Sequence, residues 1–591
     1  MLTSSTIDKH PSHHAALSTP ARDAAEYAGL TALLNCYIRE FAQPQGDVRL
    51  ATHGNIPQAL TSKMIPGDVV LITLAASEKM LAIKAERWSL LGRGFYSSAP
   101  FIKQFGKPWR AASCSDVISL LLSEMAATVG EAINAELAEQ IENSIGITRA
   151  FVEHSPVRSS KASYIHSEQS LLWGHPMHPS PKSRSGVEHN ALLACSPEVG
   201  ASFPLVWFRV DPSLWQCSGD ARVVAMLASL GGEENCYPCH PWEVEHIVNS
   251  PLYQRAEAQG LISLLGEGGM ELFPTSSVRT LYGEGLPWYL KCSIHVRLTN
   301  CVRKNAWYEL ESAVALSERL ASQLTALEIR TPGFRIMREP AATSLDFSQL
   351  TAGDELAEVR HLQECFGILY RENLSAEELA QYQPQMAAAL FAYDRAGISQ
   401  IQDVIARLSL ARHLHHRDAC LLWLGSYLDI LLTGVMDAFF NEGIVFEPHM
   451  QNVLVGMEDY LPARVWVRDL EGTKLTSERW SSEDLADMSE QARQSVWYSR
   501  EKGWNRIAYC LLINHLSEAL FHLADGNREL EQQLWDLLAS RLADWQQQPE
   551  IAAMLNGGPI PSKNNLRTRL LQRADKFADY TQMAHPMRIT Q

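Results

Sequence analysis

The chain has 591 residues, more than one compact core usually holds, so we expect two or three domains that share interfaces. Hydrophobic residues make up 46% and charged residues 20% of the chain, which excludes an intrinsically disordered protein. The formal net charge of -16 disfavours binding to nucleic acid or to a membrane surface, because both carry phosphate charge. A local basic pocket for a small anion is still compatible with this total.

The first 150 residues combine helical and strand patterns. Apolar residues at helical spacing predict a helix over residues 24–42, short strands follow at 48–52, 69–74 and 81–85, and a long helix is expected over 115–147. Residues 1–20 lack an apolar run of signal-peptide length, and the 11 cysteines are scattered over the chain. These features predict a cytoplasmic protein with reduced thiols.

The middle of the chain is predicted to be rich in strands. Residues 153–185 contain many His, Pro and Ser residues and are expected to form a loop, and strands are expected at 204–210, 270–273 and 288–299. In the last of these, Lys291, His295 and Arg297 alternate with apolar residues. Such a strand suits the wall of an anion site, and a solvated sheet face is the alternative.

From about residue 354 the sequence is mainly helical. The apolar stretch 419–440 contains Asp429 and Asp437, so we expect a buried core helix rather than a membrane span. Short strands are expected at 444–447, 453–457 and 463–467. No P-loop, no G-x-G-x-x-G after a strand, no H-E-x-x-H and no G-x-S-x-G occurs, which disfavours the nucleotide, zinc and hydrolase sites that use them.

The first candidate binding segment is the proline-stiffened loop 174–186. It places His175, His178, Lys182 and Arg184 within a short reach. Guanidinium and ammonium groups bind phosphate oxygens by charge-assisted hydrogen bonds, so this loop can wrap a polyanion. A surface loop that is merely basic is the alternative.

A second candidate segment is the turn 274–279, where hydroxyl groups precede a cation. Ser277 and Arg279 can cradle phosphate in such a turn, and Lys291 and Arg303 follow on the next strands. In a late segment, Lys563 is expected near the N-terminus of a helix, a position that favours an anion. An exposed structural helix is the alternative there.

The third candidate segment joins residues 446–452 to 467–472. Glu447, Gln451, Asn452 and Asp469 offer the oxygen donors that Mg²⁺ uses beside substrate phosphates, and their arrangement resembles the kinase pairing of a loop Asn with an Asp at a strand end. His449 is expected beside them, able to contact a carboxylate or phosphate. The alternative is a polar β-hairpin whose side chains satisfy one another.

Seven blocks, in order from about residue 150 to 580, resemble the siderophore synthetases that act independently of non-ribosomal peptide synthetases, the aerobactin-synthetase or IucA/IucC family. The blocks are HPMHPSPKSRSG, CHPWE, PTSSVRT, KCSIHVRLTN, FEPHMQN, VRDLEG and SKNNLRTRL. The resemblance implies an α+β fold with three domains arranged like a cupped hand. A thumb would cover residues 1–150, β-rich fingers 151–345, and a mostly helical palm with a kinase-like metal loop 346–591.

The resemblance also implies an activity. Such an enzyme adenylates a carboxylate of citrate with ATP and Mg²⁺, then joins it to a small amine or hydroxyl nucleophile, releasing AMP and pyrophosphate. We expect it to work as a homodimer. The alternatives are the same chemistry on a citrate monoamide or 2-oxoglutarate, a kinase-like phosphotransferase, or a non-catalytic citrate or siderophore-binding protein.

Residue roles follow from the same resemblance. The loop with His175 or His178, Lys182 and Arg184 would bind ATP. The remaining roles are phosphate binding by Ser277, Arg279 and Lys291, Mg²⁺ binding by Glu447 and Asp469, and citrate binding by Arg303, His449 and Lys563, the residues expected to be catalytic.

Overall fold

The computed structural model describes residues 21–587, apart from residues 53, 65–67, 97, 157–162, 300, 352–353, 487, 489 and 574–576. The fold mixes helices and sheets, as the α+β expectation required. The polar segment 1–20 and residues 157–162 of the predicted loop lie outside the described residues. The rest of that loop includes a short helix, Tyr164–Gln169.

The N-terminal region packs helices against an antiparallel sheet. The predicted first helix is confirmed as Ala21–Tyr37, which continues as the π-helix Ile38–Ala42. The sheet runs in the order Val48–Ala51, Asp68–Leu74, Lys79–Trp88, Phe101–Gln104 and Arg110–Ala111, with Gly94–Tyr96 also paired to Lys79–Trp88.

The helix expected over residues 115–147 is two helices, Cys114–Val129 and Ala135–His154. Gly130, at a φ of 75°, ends the first of them in the left-handed conformation. Asn134 then caps the second helix through the backbone N–H of Leu137. Apolar periodicity continues through this break, which explains why the sequence pattern did not reveal it.

An eight-stranded sheet dominates the middle of the molecule. Its strand order is Cys236–Cys239, Phe203–Val210, Ile262–Pro274, Thr280–Tyr282, Trp288–Cys292, Ile368–Glu372, Ala341–Leu345 and Trp215–Gly219. All its pairings are antiparallel. A buried apolar cluster lies against this sheet.

The predicted strand over 288–299 is wrong as a single element. It divides at Ser293 into Trp288–Cys292, in the eight-stranded sheet, and Ile294–Leu298, which pairs with Cys301–Arg303 and Arg184–Ser185 in a three-stranded sheet. Ser293 itself donates its backbone N–H to Gly367. Because the two strands enter different sheets, the expected row of cations does not share one surface.

The C-terminal region surrounds the largest apolar cluster. A sheet in the order Phe334–Ile336, Leu461–Val467, Val453–Glu458 and Gln385–Met386 packs against the helix His416–Glu442. Smaller sheets join Ile444–Val445, Lys474–Thr476 and Trp497–Tyr498, and Ile560–Lys563 with Tyr580–Met583.

The remaining α-helices connect these sheets. Before residue 400 they are Gln43–Gln45, Gln58–Thr61, His189–Ala194, Arg222–Gly231, Val244–Val248, Pro251–Ala258, Trp307–Arg319, Ala321–Arg330, Leu356–Cys365, Ala376–Tyr382 and Ala387–Leu390. From residue 400 onward they are Gln400–Arg412, Glu490–Val496, Arg500–Ile507, Ser517–Ala524, Arg528–Leu542, Pro549–Leu555 and Asn565–Leu570, with the π-helix Ala508–Leu516 between two of them.

Among the described residues, two helical stretches are long and apolar enough to cross a membrane by length and composition, His416–Glu442 and Arg500–Ala524. The most apolar windows of the two are 72% and 94% buried inside the protein. This burial is what core helices show, and it confirms the expectation for residues 419–440.

The division into domains at residues 150 and 345 stays a prediction, and two pairings cross it. Ile368–Glu372 joins the eight-stranded sheet, whereas Phe334–Ile336 pairs with Leu461–Val467 in the C-terminal region. Leu566 and Leu570, from the last helix, pack in the N-terminal apolar cluster. The end of the chain therefore braces the N-terminal region.

Candidate functional site

All fourteen residues predicted for the site line one cavity of about 1320 Å³. The cavity lies where the N-terminal region, the eight-stranded sheet and the C-terminal region meet. The predicted residues that face it are His175, His178, Lys182, Arg184, Ser277, Arg279, Lys291, Arg303, Glu447, His449, Gln451, Asn452, Asp469 and Lys563. Segments separated by hundreds of residues thus converge on a single space.

A β-hairpin brings the predicted metal segment together. Asn452 immediately precedes the strand Val453–Glu458, and Asp469 follows the strand Leu461–Val467. Val453 pairs with Val467, so both polar residues lie at the same end of the hairpin. Asn452 donates to the backbone oxygen of Glu447 at 3.2 Å, which ties the preceding loop to this end.

Lys182 and Arg184 share one buried carboxylate. Lys182 Nζ and Arg184 Nη2 each lie 2.6 Å from Oε1 of Glu198. Burial would raise the pKa of Glu198, but the charges of Arg184 and Lys182 outweigh it and lower the pKa to about 2. Two cations against one anion leave a net positive charge at the cavity wall.

Lys291 lies at the centre of a second buried ion cluster. Its Nζ is 2.5 Å from Oδ1 of Asp469 and 2.7 Å from Oε2 of Glu471. Arg371 Nη2 contacts the same Asp469 oxygen at 2.9 Å. Although burial opposes ionisation, the charges of Lys291 and Arg371 hold the pKa of Asp469 well below its usual range. Asp469 is therefore a carboxylate at neutral pH.

Arg279 adjoins this cluster from the turn that follows Pro274. Its guanidinium donates to Oδ1 of Asn305 and to the backbone oxygen of Arg303, and Nη2 lies 3.8 Å from Glu471. Ser277 is oriented inside the same turn, where its hydroxyl accepts from the backbone N–H of Thr280 at 3.3 Å. The predicted phosphate turn is thus fixed before any ligand arrives.

Three residues with a side chain lie in the left-handed backbone region beside the cavity. Val278 has a φ of 70°, Thr299 of 55° and Asp469 of 80°. For β-branched residues this conformation is costly, of order 1–3 kcal/mol each, and such outliers cluster at binding sites. Ion pairs with Lys291 and Arg371 hold Asp469 in this backbone conformation.

Glu447 forms an ion pair with Arg506 and packs against Gly472. A Cβ on Gly472 would stand 2.4 Å from Oε2 of Glu447, so only glycine leaves room for the carboxylate. Lys474 lies nearby, and burial, together with the charge of Arg506, lowers its pKa to about 8. In this part of the cavity wall, the Glu447 carboxylate therefore interacts with two cations, Arg506 and Lys474.

The remaining predicted residues occupy different depths of the cavity. Burial lowers the pKa of His175 to about 4 and also lowers the pKa of His449, so both imidazoles are neutral at pH 7. His178 accepts from the backbone N–H of Ser180 at 3.2 Å. Arg303 is exposed at the cavity rim.

Lys563 lies near the N-terminus of a late helix, as the sequence predicts, but on a strand that precedes it. It is the last residue of the strand Ile560–Lys563, and the helix Asn565–Leu570 begins two residues later. The strand pairs Lys563 with Tyr580, which holds it outside the first helical turn.

The expected cationic face of the strand 288–299 is divided. Only Lys291 of its three cationic side chains lines the cavity, whereas His295 contacts Glu243 and Arg297 contacts Glu136 at 2.8 Å. The break at Ser293 turns the second strand away. The alternation of polar and apolar residues in the sequence predicts that all three side chains share one face of a single strand.

Several residues of the site were missed in the sequence. Arg371 lies on the strand next to Lys291 and on the same sheet face, since Tyr289 pairs with Arg371. Arg468 is buried against Glu168 at 2.6 Å and donates to the backbone oxygen of Gln451, which positions that residue. A lone arginine in the apolar run ILYRE was the available signal for Arg371.

The donor set fits a hard divalent cation in type. Glu447 and Asp469 supply carboxylates, Gln451 and Asn452 supply amide oxygens, and all four line the cavity. In this structure Arg506 holds one carboxylate, and Lys291 with Arg371 holds the other. A cation would therefore take over carboxylates that are already ionised and oriented.

Comparison with known proteins agrees with this geometry. The model of the IucA / IucC family matches residues 163–392, and that of a ferric iron reductase FhuF-like transporter matches residues 421–578. The chain is 29% identical over 478 residues to L-2,3-diaminopropanoate–citrate ligase of Staphylococcus aureus, covering 78% of this chain and 80% of the relative. It is 25% identical over 610 residues to spermidine-citrate ligase of Bacillus anthracis, covering 96% of each.

Solved structures show the same fold. ATP-bound aerobactin synthetase IucA of Klebsiella pneumoniae matches with a TM-score of 0.82 at 22% identity, over 95% of this chain and 100% of that one. The petrobactin biosynthesis protein AsbB of Bacillus anthracis matches with a TM-score of 0.73 at 18% identity, over 99% and 98%. The IucA / IucC model over residues 163–392 and this shared fold confirm the resemblance to the IucA/IucC family of siderophore synthetases, and six of the seven ordered sequence blocks contribute to one cavity.

Proposed function

We propose that the protein is an ATP-dependent ligase that joins a carboxylate of citrate to a small amine or hydroxyl group. A citrate carboxylate oxygen attacks the α-phosphorus of ATP and pyrophosphate leaves. The nucleophile then attacks the acyl carbon of the citryl adenylate, loses its proton and releases AMP. The product is an amide or an ester. The similarity to L-2,3-diaminopropanoate–citrate ligase and to spermidine-citrate ligase supports this reaction class.

One observation carries the proposal: a single cavity gathers cations, neutral imidazoles and carboxylates from all the predicted segments. ATP and citrate together bring many negative charges, and the transition state concentrates part of this charge on the oxygens around the α-phosphorus. Fixed cations in a partly buried site stabilise such charge without a protein nucleophile. The similarity of the fold to that of ATP-bound IucA supports ATP as the nucleotide.

The proposal gives each part of the cavity a task. Glu447 and Asp469 would hold Mg²⁺, which supplies neutralisation of phosphate charge. Lys291 and Arg279 would bind phosphate oxygens. Arg303 would bind a citrate carboxylate, together with His449 and Lys563. Neutral His449 can donate one ring N–H without adding charge.

The ion pairs of the cavity suggest how the same side chains could bind both a metal ion and phosphate. Lys291, Arg371 and Arg506 each contact a carboxylate that is a proposed metal ligand. Were Glu447 and Asp469 to hold Mg²⁺, Lys291, Arg371 and Arg506 would be available for phosphate oxygens. Charge is exchanged between partners, so no charged group is left without a counter-charge in a buried site.

The direct test is pyrophosphate release by the purified protein. We expect release that requires both ATP and citrate and that rises when a suitable amine or amino alcohol is added. The nucleotide product should be AMP. A citrate monoamide and 2-oxoglutarate should be tested in parallel as carboxylate substrates.

The outcomes separate the alternatives. ADP in place of AMP would identify a phosphotransferase. Tight citrate binding with no turnover for any carboxylate and amine pair would identify a binding protein. The homodimer and the cytoplasmic location stay predictions, and light scattering coupled to size-exclusion chromatography tests the first.

A further inference from the structure

A second group of chemically active side chains lies outside the cavity lining. His295, His361 and Cys365 place one potential ligand atom each within 4.8 Å of one another, and no other such group of three His, Cys, Asp or Glu residues occurs in the described part of the chain. None of the three lines the cavity. The proposed ligase reaction uses none of them, so this group needs its own explanation.

Local structure builds the group from two elements. His361 and Cys365 are four residues apart on the helix Leu356–Cys365, so both side chains lie on one face of it. His295 comes from the strand Ile294–Leu298. Sγ of Cys365 lies 3.7 Å from Nδ1 of His295 and 3.9 Å from Nε2 of His361.

The distance between Sγ of Cys365 and Nε2 of His361 is close to that of a tetrahedral metal site. With a Zn–S bond of about 2.3 Å and a Zn–N bond of about 2.0–2.1 Å, a sulfur and a nitrogen ligand stand roughly 3.6 Å apart. A thiolate with two imidazoles selects a borderline-soft ion such as Zn²⁺ over Mg²⁺ or Ca²⁺. His361 and Cys365 need to move only by tenths of an ångström.

The surroundings support the ligands as they do in metal sites. The fully buried Glu243 contacts Nδ1 of His295 at 2.5 Å and accepts from its backbone N–H. A carboxylate on Nδ1 orients the imidazole, so Nε2 of His295, which lies 3.8 Å from Oε2 of Glu364, is the nitrogen that would bind the ion. A third imidazole, His246, has its ring centre 5.2 Å from that of His295 and 5.8 Å from that of His361.

We propose that His295, His361 and Cys365 bind one Zn²⁺-type ion, with the exposed His246 or water as the fourth ligand and Glu243 as the orienting carboxylate. The ion would tie the helix Leu356–Cys365 to the strand Ile294–Leu298. That strand pairs Ile294 with Arg303 at the cavity rim, so the ion would also steady the proposed citrate-binding hairpin. Three adjacent imidazoles could then bind the same ion.

The test uses Co²⁺ as a spectroscopic substitute in the full-length, chelator-treated protein. We expect one Co²⁺ per chain, a thiolate-to-cobalt charge-transfer band in the near ultraviolet, and displacement of Co²⁺ by Zn²⁺. Cys365→Ser should abolish the band, and His361→Ala should weaken binding at least tenfold. Glu243→Gln should weaken it about 10- to 100-fold, since orienting partners contribute that much to affinity.

Cys217→Ser is the matched control, because Cys217 is an exposed cysteine on an edge strand of the eight-stranded sheet. It should keep the band and the stoichiometry. Circular dichroism shows whether each variant is folded. A cobalt complex without a thiolate band, a band that survives Cys365→Ser, or no stoichiometric binding of Zn²⁺ would each overturn the proposal. These readouts do not depend on ligase activity.

Discussion

Two buried ion clusters line the same cavity and differ in how they are built. In the first, Lys182 and Arg184 bind Glu198, which lies 16 and 14 residues further along the chain. In the second, Lys291 binds Asp469, 178 residues away, and Arg371 joins from a third segment. The sequence predicts polyanion binding for Lys182, Arg184 and Lys291 but not for Arg371.

The difference lies in the carboxylate. Both cations of the first cluster contact Oε1 of Glu198, which is not a proposed metal ligand, and the cluster carries one net positive charge. Asp469 is a proposed metal ligand in a strained conformation, so the second cluster can exchange its partners when substrate binds. We infer that the first cluster serves mainly the fold and that the second serves the chemistry.

The largest expected effect is loss of stability in Glu198→Gln. Removing this carboxylate leaves two buried cations without a counter-charge, which should lower the free energy of unfolding by about 3–5 kcal/mol. Denaturant titration measures it. Glu233→Gln, which breaks the exposed pair with Arg209, is the control and should cost less than about 1 kcal/mol. Equal losses in the two variants would contradict the first half of the comparison.

Next in size is the loss of turnover in Asp469→Asn. We expect pyrophosphate release to fall about 10²–10³-fold, the usual effect of removing one fixed electrostatic contact. Glu471→Gln is the matched control, because Glu471 also binds Lys291 but is not a proposed metal ligand. If both variants lose activity equally, Asp469 acts only through Lys291, and its metal role is wrong.

Acid should weaken the first cluster in a defined range of pH. The pKa of Glu198 is about 2, below the ordinary value of 4.5. Its stabilisation is therefore complete above about pH 4.5 and is lost as the pH falls toward 2, a change of about 3 kcal/mol. The stability difference between the protein and Glu198→Gln should shrink over that range. A constant difference would contradict the ion-pair explanation.

The smallest expected effect is that of Arg303→Ala, at the exposed rim of the cavity. Loss of a hydrogen bond between charged groups should raise the KM for citrate about 10-fold, while the Kd for ATP stays within about twofold. Steady-state kinetics and nucleotide titration measure the two constants. If ATP affinity alone falls, the proposed position of citrate is wrong.

Much of the secondary structure could be predicted because it depends on local patterns. The core helix His416–Glu442 and the hairpin that places Asn452 beside Asp469 were both expected from apolar runs and polar ends. The single strand over 288–299 was wrong because its alternation continues through Ser293, where the chain moves from one sheet to another. Periodicity reports which residues can face a core but not which sheet they join.

The sequence by itself indicated the family resemblance, the α+β class and fourteen of the polar residues that line the cavity. Only the tertiary structure decided the partners of those residues. Glu198, Arg371 and Arg506 neutralise or hold predicted site residues, and none was expected. The same is true of His361 and Cys365 beside His295. Ion pairs and ligand clusters depend on distances between segments far apart in the chain, and these distances are fixed only when the apolar cores pack.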